Sequence, residues 1–134
     1  MTNSSSLIDS LEVYVLNNPE EVTPHWVSHF IVPTANELLI KIKNKDGNSG
    51  FGLATSYTDI SPLVKPFSNG IADLIIGEDP FSPEKLYEKI FKLTDTRTSS
   101  EKGWSREALI RISAALDIAC WDLMGKASNI PLYK

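Results

Sequence analysis

Residues 108–133 run Ala-Leu-Ile-Arg-Ile-Ser-Ala-Ala-Leu-Asp-Ile-Ala-Cys-Trp-Asp-Leu-Met-Gly-Lys-Ala-Ser-Asn-Ile-Pro-Leu-Tyr, and no other stretch restricts the fold as strongly. At helical spacing Ala108, Leu109, Ile112, Leu116, Ala119, Cys120 and Leu123 share one face, in the i, i+3, i+4, i+7 pattern of a core-facing helix. Ile110, Ala114 and Trp121 make a second apolar strip. The narrow face left over carries Glu107, Arg111, Asp122 and Lys126, with Ala115 and Ile118 intruding. Two apolar strips need two packing partners. In a chain of 134 residues one of those partners is expected to lie outside the chain. Ser105 is a candidate N-cap, and Gly125 or Asn129-Ile130-Pro131 a candidate end.

Asp117 falls between the two strips, beside Ser113 and Met124, where a carboxylate needs a partner or hydrogen bonds. Two readings stay open. One is a catalytic acid or metal ligand; the other is a structural ion pair or hydrogen bond that locks one domain on another. No second acid is clearly placed beside it, which favours the structural reading. Asp122 reads as solvated and paired with Lys126 at i, i+4, and Trp121 reads as core.

Upstream, Leu11, Val13 and Val15 alternate with polar or half-polar neighbours and predict a strand over residues 7–16. A long connection over 17–35 contains Pro19, Pro24 and Pro33, and loops of that length are commonly functional or mobile. Leu38, Ile40 and Ile42 mark a second strand. The Asn44-Lys45-Asp46-Gly47-Asn48 turn leads into a third over Ser49–Ser56. There Phe51, Leu53 and Thr55 face one way. Gly50, Gly52 and Ala54 face the other, where a neighbour is expected to approach the backbone closely. Helical signals follow. One begins at Ser61-Pro62, is interrupted by Pro66 and Gly70, and is ended by Gly77; a cleaner one begins at Ser82-Pro83 and carries Leu86, Ile90 and Leu93. Residues 94–104 read as polar loop. The order is α+β: a three-stranded antiparallel meander followed by a three-helix layer.

Hydrophobic residues make up 42% of the chain, which supports a folded core over disorder, and a net charge of −4 supplies no basic patch for nucleic acid. The apolar runs are too short for a membrane span, and no signal peptide is visible. Residues 1–6 are polar and expected to be disordered, leaving 7–134 as the domain. Cys120 is the single cysteine, cannot form an internal disulfide, and fits a reducing cytoplasm.

Motifs that could carry chemistry are weak. His25 and His29, four apart, would share one side of a helix and suggest a metal. Yet no Glu or Cys completes a site, and Pro24 and Pro33 point to a loop. Gly47, Gly50 and Gly52 do not match a dinucleotide fingerprint. Glu78 and Asp79 flank a turn and read as solvated. No catalytic residue is legible.

The string from Ile112 to Lys126, with its Asp117-Ile-Ala-Cys-Trp-Asp122 core, and Pro131-Leu132-Tyr133-Lys134 after it, resembles the last helix of the N-terminal capping domain of the enolase superfamily, in its mandelate racemase and muconate lactonizing enzyme branch. The Gly77-Glu78-Asp79-Pro80 turn and Asp46-Gly47 leading into Gly50-Phe51-Gly52 support the resemblance. The resemblance implies a domain that caps a C-terminal (β/α) barrel of roughly 250 further residues, absent from this chain. That barrel would hold Mg²⁺ and the acid and base residues, with no metal bound by this chain. The shared reaction step is proton abstraction next to a carboxylate. A full-length enzyme would be a lyase or isomerase: a sugar-acid dehydratase, a racemase or a cycloisomerase, cytoplasmic and homo-oligomeric, acting on a small carboxylate. Two mobile loops of the capping domain shape specificity in the family. By position they resemble the stretches around Thr23-Pro24-His25-Trp26 and Ser56-Tyr57-Thr58, so His25, Trp26 and Tyr57 are the candidate substrate-binding residues. The alternative is a truncated, non-catalytic module that binds a partner through its apolar last helix.

Overall fold

The computed structural model describes residues 5–16, 24–32, 36–95 and 97–134, the side chains of His25, Asp95 and Thr98 apart. Strand β1 (Ile8–Leu16) pairs antiparallel with β4 (Asn36–Asn44), which pairs antiparallel with β5 (Ser49–Ser56), giving a sheet of order β1-β4-β5. Between β1 and β4 the chain makes a small separate hairpin, β2 (His25–Val27) and β3 (Phe30–Val32). The helices follow: α1 (Ser61–Ser68), α2 (Pro83–Phe91), α3 (Arg97–Glu101) and α4 (Arg106–Ser128). The meander and the α+β order are those the sequence predicts. The hairpin and α3 are additions, in stretches that read as loop because three-residue strands and a five-residue helix are too short to show a period. Of the expected frayed start, residues 1–4 lie outside the described residues. Ser5 and Ser6 form a turn in which the Ser5 hydroxyl donates to Asp46 Oδ2 at 3.0 Å.

The sheet presents Leu38, Ile40 and Ile42 from its central strand to α4, all fully buried. From α4 itself Ala108, Leu109, Ile112, Leu116, Ala119, Cys120 and Leu123 meet them, as the periodicity requires. Each large side chain buried there contributes about 1.5–3 kcal/mol. Ala115 also points inward and is fully buried, although its place on the helix had set it at the margin of the polar face. The cause is β5. A Cβ on Gly52 would lie 1.9 Å from the Ala115 carbonyl oxygen, and one on Gly50 would lie 1.9 Å from that of Ala119. Helix backbone therefore rests directly on strand backbone, and only glycine leaves room for it.

The shorter helices end for identifiable reasons. Helix α1 carries Pro66 near its end, and the chain turns at Gly70 with φ +92° before a 3₁₀ turn over Ala72–Leu74, so the longer helix expected up to Gly77 is broken in two. Its start is held by Asp59, whose Oδ1 accepts from the Ser61 amide at 3.1 Å and the Ser61 hydroxyl at 2.8 Å. Ser82 precedes α2 without a side-chain cap. Ser105 does cap α4, accepting from the Ala108 amide at 3.1 Å. Asn129 closes α4 in the left-handed conformation, with φ 53°. The Ile130 amide then donates to the Gly125 carbonyl at 2.9 Å, folding Leu132 against Gly125.

Candidate functional site

Two regions could engage something outside the described chain: the outer side of α4, and the turn after β5. On α4, Ile110, Ala114, Ile118 and Trp121 fall on one exposed strip, with Ile118 at 53% and Trp121 at 48% exposure. Trp121 therefore lies outside the core in which the sequence placed it. The strip continues past the helix into exposed Ile130, Leu132 and Tyr133, and Trp121, Met124, Ile130 and Leu132 line a shallow cleft between helix and tail. Contiguous exposed apolar residues of this kind are a common feature of surfaces that proteins use for contact.

Asp117 is half-buried at the margin of this strip, and among the described residues it forms no ion pair. Ser113 beside it is buried, and its hydroxyl has no hydrogen-bond partner among the described residues. Cys120, one turn on, is fully buried, and burial followed by the negative field of Asp117 pushes its thiol up to about 12. Such a thiol is inert, not nucleophilic.

The polar edge of α4 has a role the sequence concealed. Asp122 Oδ2 accepts the Phe51 amide at 3.0 Å while also pairing with Lys126, so it is not simply solvated. Three turns earlier, Arg111 Nη1 donates to the Thr55 carbonyl and its Nη2 pairs with Glu107 at 2.8 Å. These two side chains tie both ends of edge strand β5 to the helix. Sequence showed them on one helical face, but only the packing shows that β5 runs alongside.

The turn after β5 is well connected. Asn36 Nδ2 donates to the Thr58 carbonyl at 2.8 Å, the Ser56 hydroxyl donates to the Asp59 carbonyl at 3.0 Å, and the Arg111 guanidinium stands 5.6 Å from the centre of the Tyr57 ring. A cleft of about 270 Å³ beside it is lined by Ser56, Thr58, Glu107 and Arg111 among others. Tyr57 itself is 39% exposed.

The other candidates belong to the β2–β3 hairpin. Trp26 stands on β2 at 73% exposure. His25 is paired through its backbone register with Val32, and its side chain lies outside the described residues. His29 sits in the turn of that hairpin, beside Ser28 with φ 47°. The two histidines are thus on a β-hairpin, where a spacing of four does not place them as it would on one helical face. Among the described residues no three of His, Cys, Asp and Glu come together in a group able to hold a metal ion, so no metal chemistry is assigned to them. No helix there is long and apolar enough to cross a membrane.

Glu78, read as solvated, is mostly buried. Lys89 Nζ donates to it at 2.6 Å, with Lys85 at 3.7 Å, and the bond from Lys89 holds its carboxyl below the ordinary range. Its backbone joins the sheet: the Ile8 amide donates to the Glu78 carbonyl at 2.9 Å.

Comparison with known proteins places this geometry. The chain is 31% identical over 97 residues to an L-talarate/galactarate dehydratase of Salmonella typhimurium, covering 72% of this chain and 23% of that enzyme. It is 29% identical over 126 residues to a D-gluconate/D-galactonate dehydratase of Picrophilus torridus, covering 94% of this chain and 29% of that enzyme. A solved mandelate racemase/muconate lactonizing enzyme superposes with a TM-score of 0.75 at 21% identity, over 95% of this chain and 33% of that one. The chain thus spans a third or less of the length of each protein named. Residues 10–134 match the family model described as mandelate racemase / muconate lactonizing enzyme, N-terminal domain. The chain belongs to that family, within the enolase superfamily, and this fold is its N-terminal domain.

Proposed function

We propose that this domain caps a C-terminal (β/α) barrel in a longer enzyme that abstracts a proton next to the carboxylate of a sugar acid or a related small carboxylate. The observation that carries the reading is the exposed apolar strip of α4, continuous with Ile130, Leu132 and Tyr133, which a barrel wall would cover. Half-buried Asp117 at its margin would then find its partner across the same contact. The dehydratases named above support a lyase acting on a sugar acid, with racemase or cycloisomerase chemistry the other outcomes for the superfamily. In such an enzyme Mg²⁺ and the acid and base residues belong to the barrel, and this domain alone is inactive. His25, Trp26 and Tyr57 would exclude water and read the distal end of the substrate. The enzyme would act in the cytoplasm as a homo-oligomer.

The test has two parts. The native polypeptide is isolated from its source cell and its intact mass is measured. It is then incubated in D₂O with Mg²⁺ and a panel of sugar acids, and α-deuterium incorporation and dehydration are followed. The expected result is a polypeptide longer by about a barrel's worth, roughly 250 residues, that turns over at least one acid, while residues 1–134 alone turn over none. A native polypeptide of only 134 residues would overturn the reading in favour of a non-catalytic binding module.

A further inference from the structure

The Ser56–Asp59 turn has the position of a mobile specificity loop but not the construction of one. Three different elements hold it. From β4, Asn36 bonds the Thr58 carbonyl. At the start of α1, Asp59 is locked to both the amide and the hydroxyl of Ser61. From α4, Arg111 reaches the Thr55 carbonyl and lies over the Tyr57 ring. Within the turn, the Ser56 hydroxyl bonds the Asp59 carbonyl and faces the Thr58 amide at 3.4 Å. Arg111 is itself oriented from its own helix, because its Nε and Nη2 both bond Glu107 Oε1, at 3.1 and 2.8 Å. A guanidinium oriented in this way loses less side-chain entropy in holding the Thr55 carbonyl than a free one would.

We propose that Arg111 is a positioning residue for specificity, holding the turn after β5 so that the Tyr57 ring stands as a fixed wall, not a moving lid, against the distal part of a small carboxylate substrate. This rests on the capping role proposed above. Ser56 and Thr58, the residues on either side of Tyr57, line a cleft together with Glu107 and Arg111, so the same guanidinium borders the turn and the space beside it. Arg111 acts through the turn and needs no contact with the substrate.

The experiment uses the full-length polypeptide with four variants: Arg111→Met, which keeps the stem and loses the donors, Arg111→Lys, Tyr57→Leu, and the double variant Arg111→Met/Tyr57→Leu. Amide hydrogen exchange over residues 55–60 is measured without substrate, and kcat and KM are measured on the acid turned over best. Arg111→Met is expected to speed exchange in the turn and raise KM about tenfold, the effect of losing one charge-assisted hydrogen bond, with a smaller change in kcat. Arg111→Lys, which keeps a cation over the ring, recovers part of both. The double variant is no worse in KM than either single one, because both act through the same ring. Unchanged exchange in Arg111→Met, or KM effects that simply add, would overturn the role of Arg111 while leaving the capping reading intact. Absence of turnover on every acid would instead overturn the capping reading and the specificity role with it, whatever the exchange shows.

Discussion

Replacing Gly52 with alanine tests the central packing claim, that helix backbone lies on strand backbone. The added Cβ would stand 1.9 Å from the Ala115 carbonyl oxygen and 2.8 Å from its carbonyl carbon, whereas real Cβ contacts essentially never fall under 3.0 Å. The obstacle is main chain in the middle of a 23-residue helix, so no side-chain rotation relieves it. Strand and helix must part by about 1 Å or more, a gap that forfeits a quarter to a half of the dispersion energy between the facing surfaces. Those surfaces include Ile40, Ile42, Leu116 and Leu123, all essentially fully buried. Overpacking alone costs about 1–3 kcal/mol. With the lost contacts the expected destabilisation is about 3 kcal/mol or more, against which the lower backbone entropy of alanine returns about 0.5–1 kcal/mol. The assay is urea unfolding followed by circular dichroism, with the m-value checked for constancy so that the midpoint shift reports stability. A thermal melt should fall by on the order of 10 °C. Gly47→Asn serves as the control, because a Cβ there meets nothing within 4 Å and asparagine tolerates its positive φ. A loss below about 1 kcal/mol for Gly52→Ala would refute the argument, since it would mean the helix was free to shift.

Three further outcomes follow from the same structure. Asp122→Ala should cost about 1 kcal/mol by orphaning the Phe51 amide, and Asp122→Asn should recover most of it, as read in the same urea titrations; equal losses in both would mean that the Lys126 pair, not the strand clamp, matters. Glu78 has its carboxyl held below the ordinary value of 4.5 by the bond from Lys89, so its contribution is complete above that value and lost as the pH falls through the lowered one. Stability measured from pH 6 to pH 2 should therefore fall more steeply in the native chain than in Glu78→Gln. The Cys120 thiol, raised to about 12 by burial and by Asp117, should resist an aromatic disulfide reagent at pH 8 while the chain is folded and react fully in denaturant. Fast labelling of the folded chain would count against the burial described.

The amino-acid order alone was enough for the α+β meander, the long last helix and its buried face. Leu38, Ile40 and Ile42 alternate at period two, Leu109, Ile112, Leu116 and Leu123 recur at the helical period, and both periods are local properties of the chain. Gly50 and Gly52 even announced that something would sit on the backbone there, without saying what. Short pieces escaped detection: β2, β3 and α3 hold too few residues to display a period. The roles of Asp122, Glu78 and Arg111 escaped for a different reason. Asp122 and Arg111 looked like surface charge because their partners are distant in sequence: 71 residues separate Asp122 from Phe51, and 56 separate Arg111 from Thr55, while Glu78 meets Lys89 only because α2 folds back beside the turn that carries it. Whether a charged side chain is solvated or caps a strand edge depends on which backbone groups the fold leaves unpaired beside it, and that is known only once α4 is laid along β5. The second strip of α4 marks the opposite case. Its pattern is written in the sequence, and only the folded domain shows that no described residue covers it.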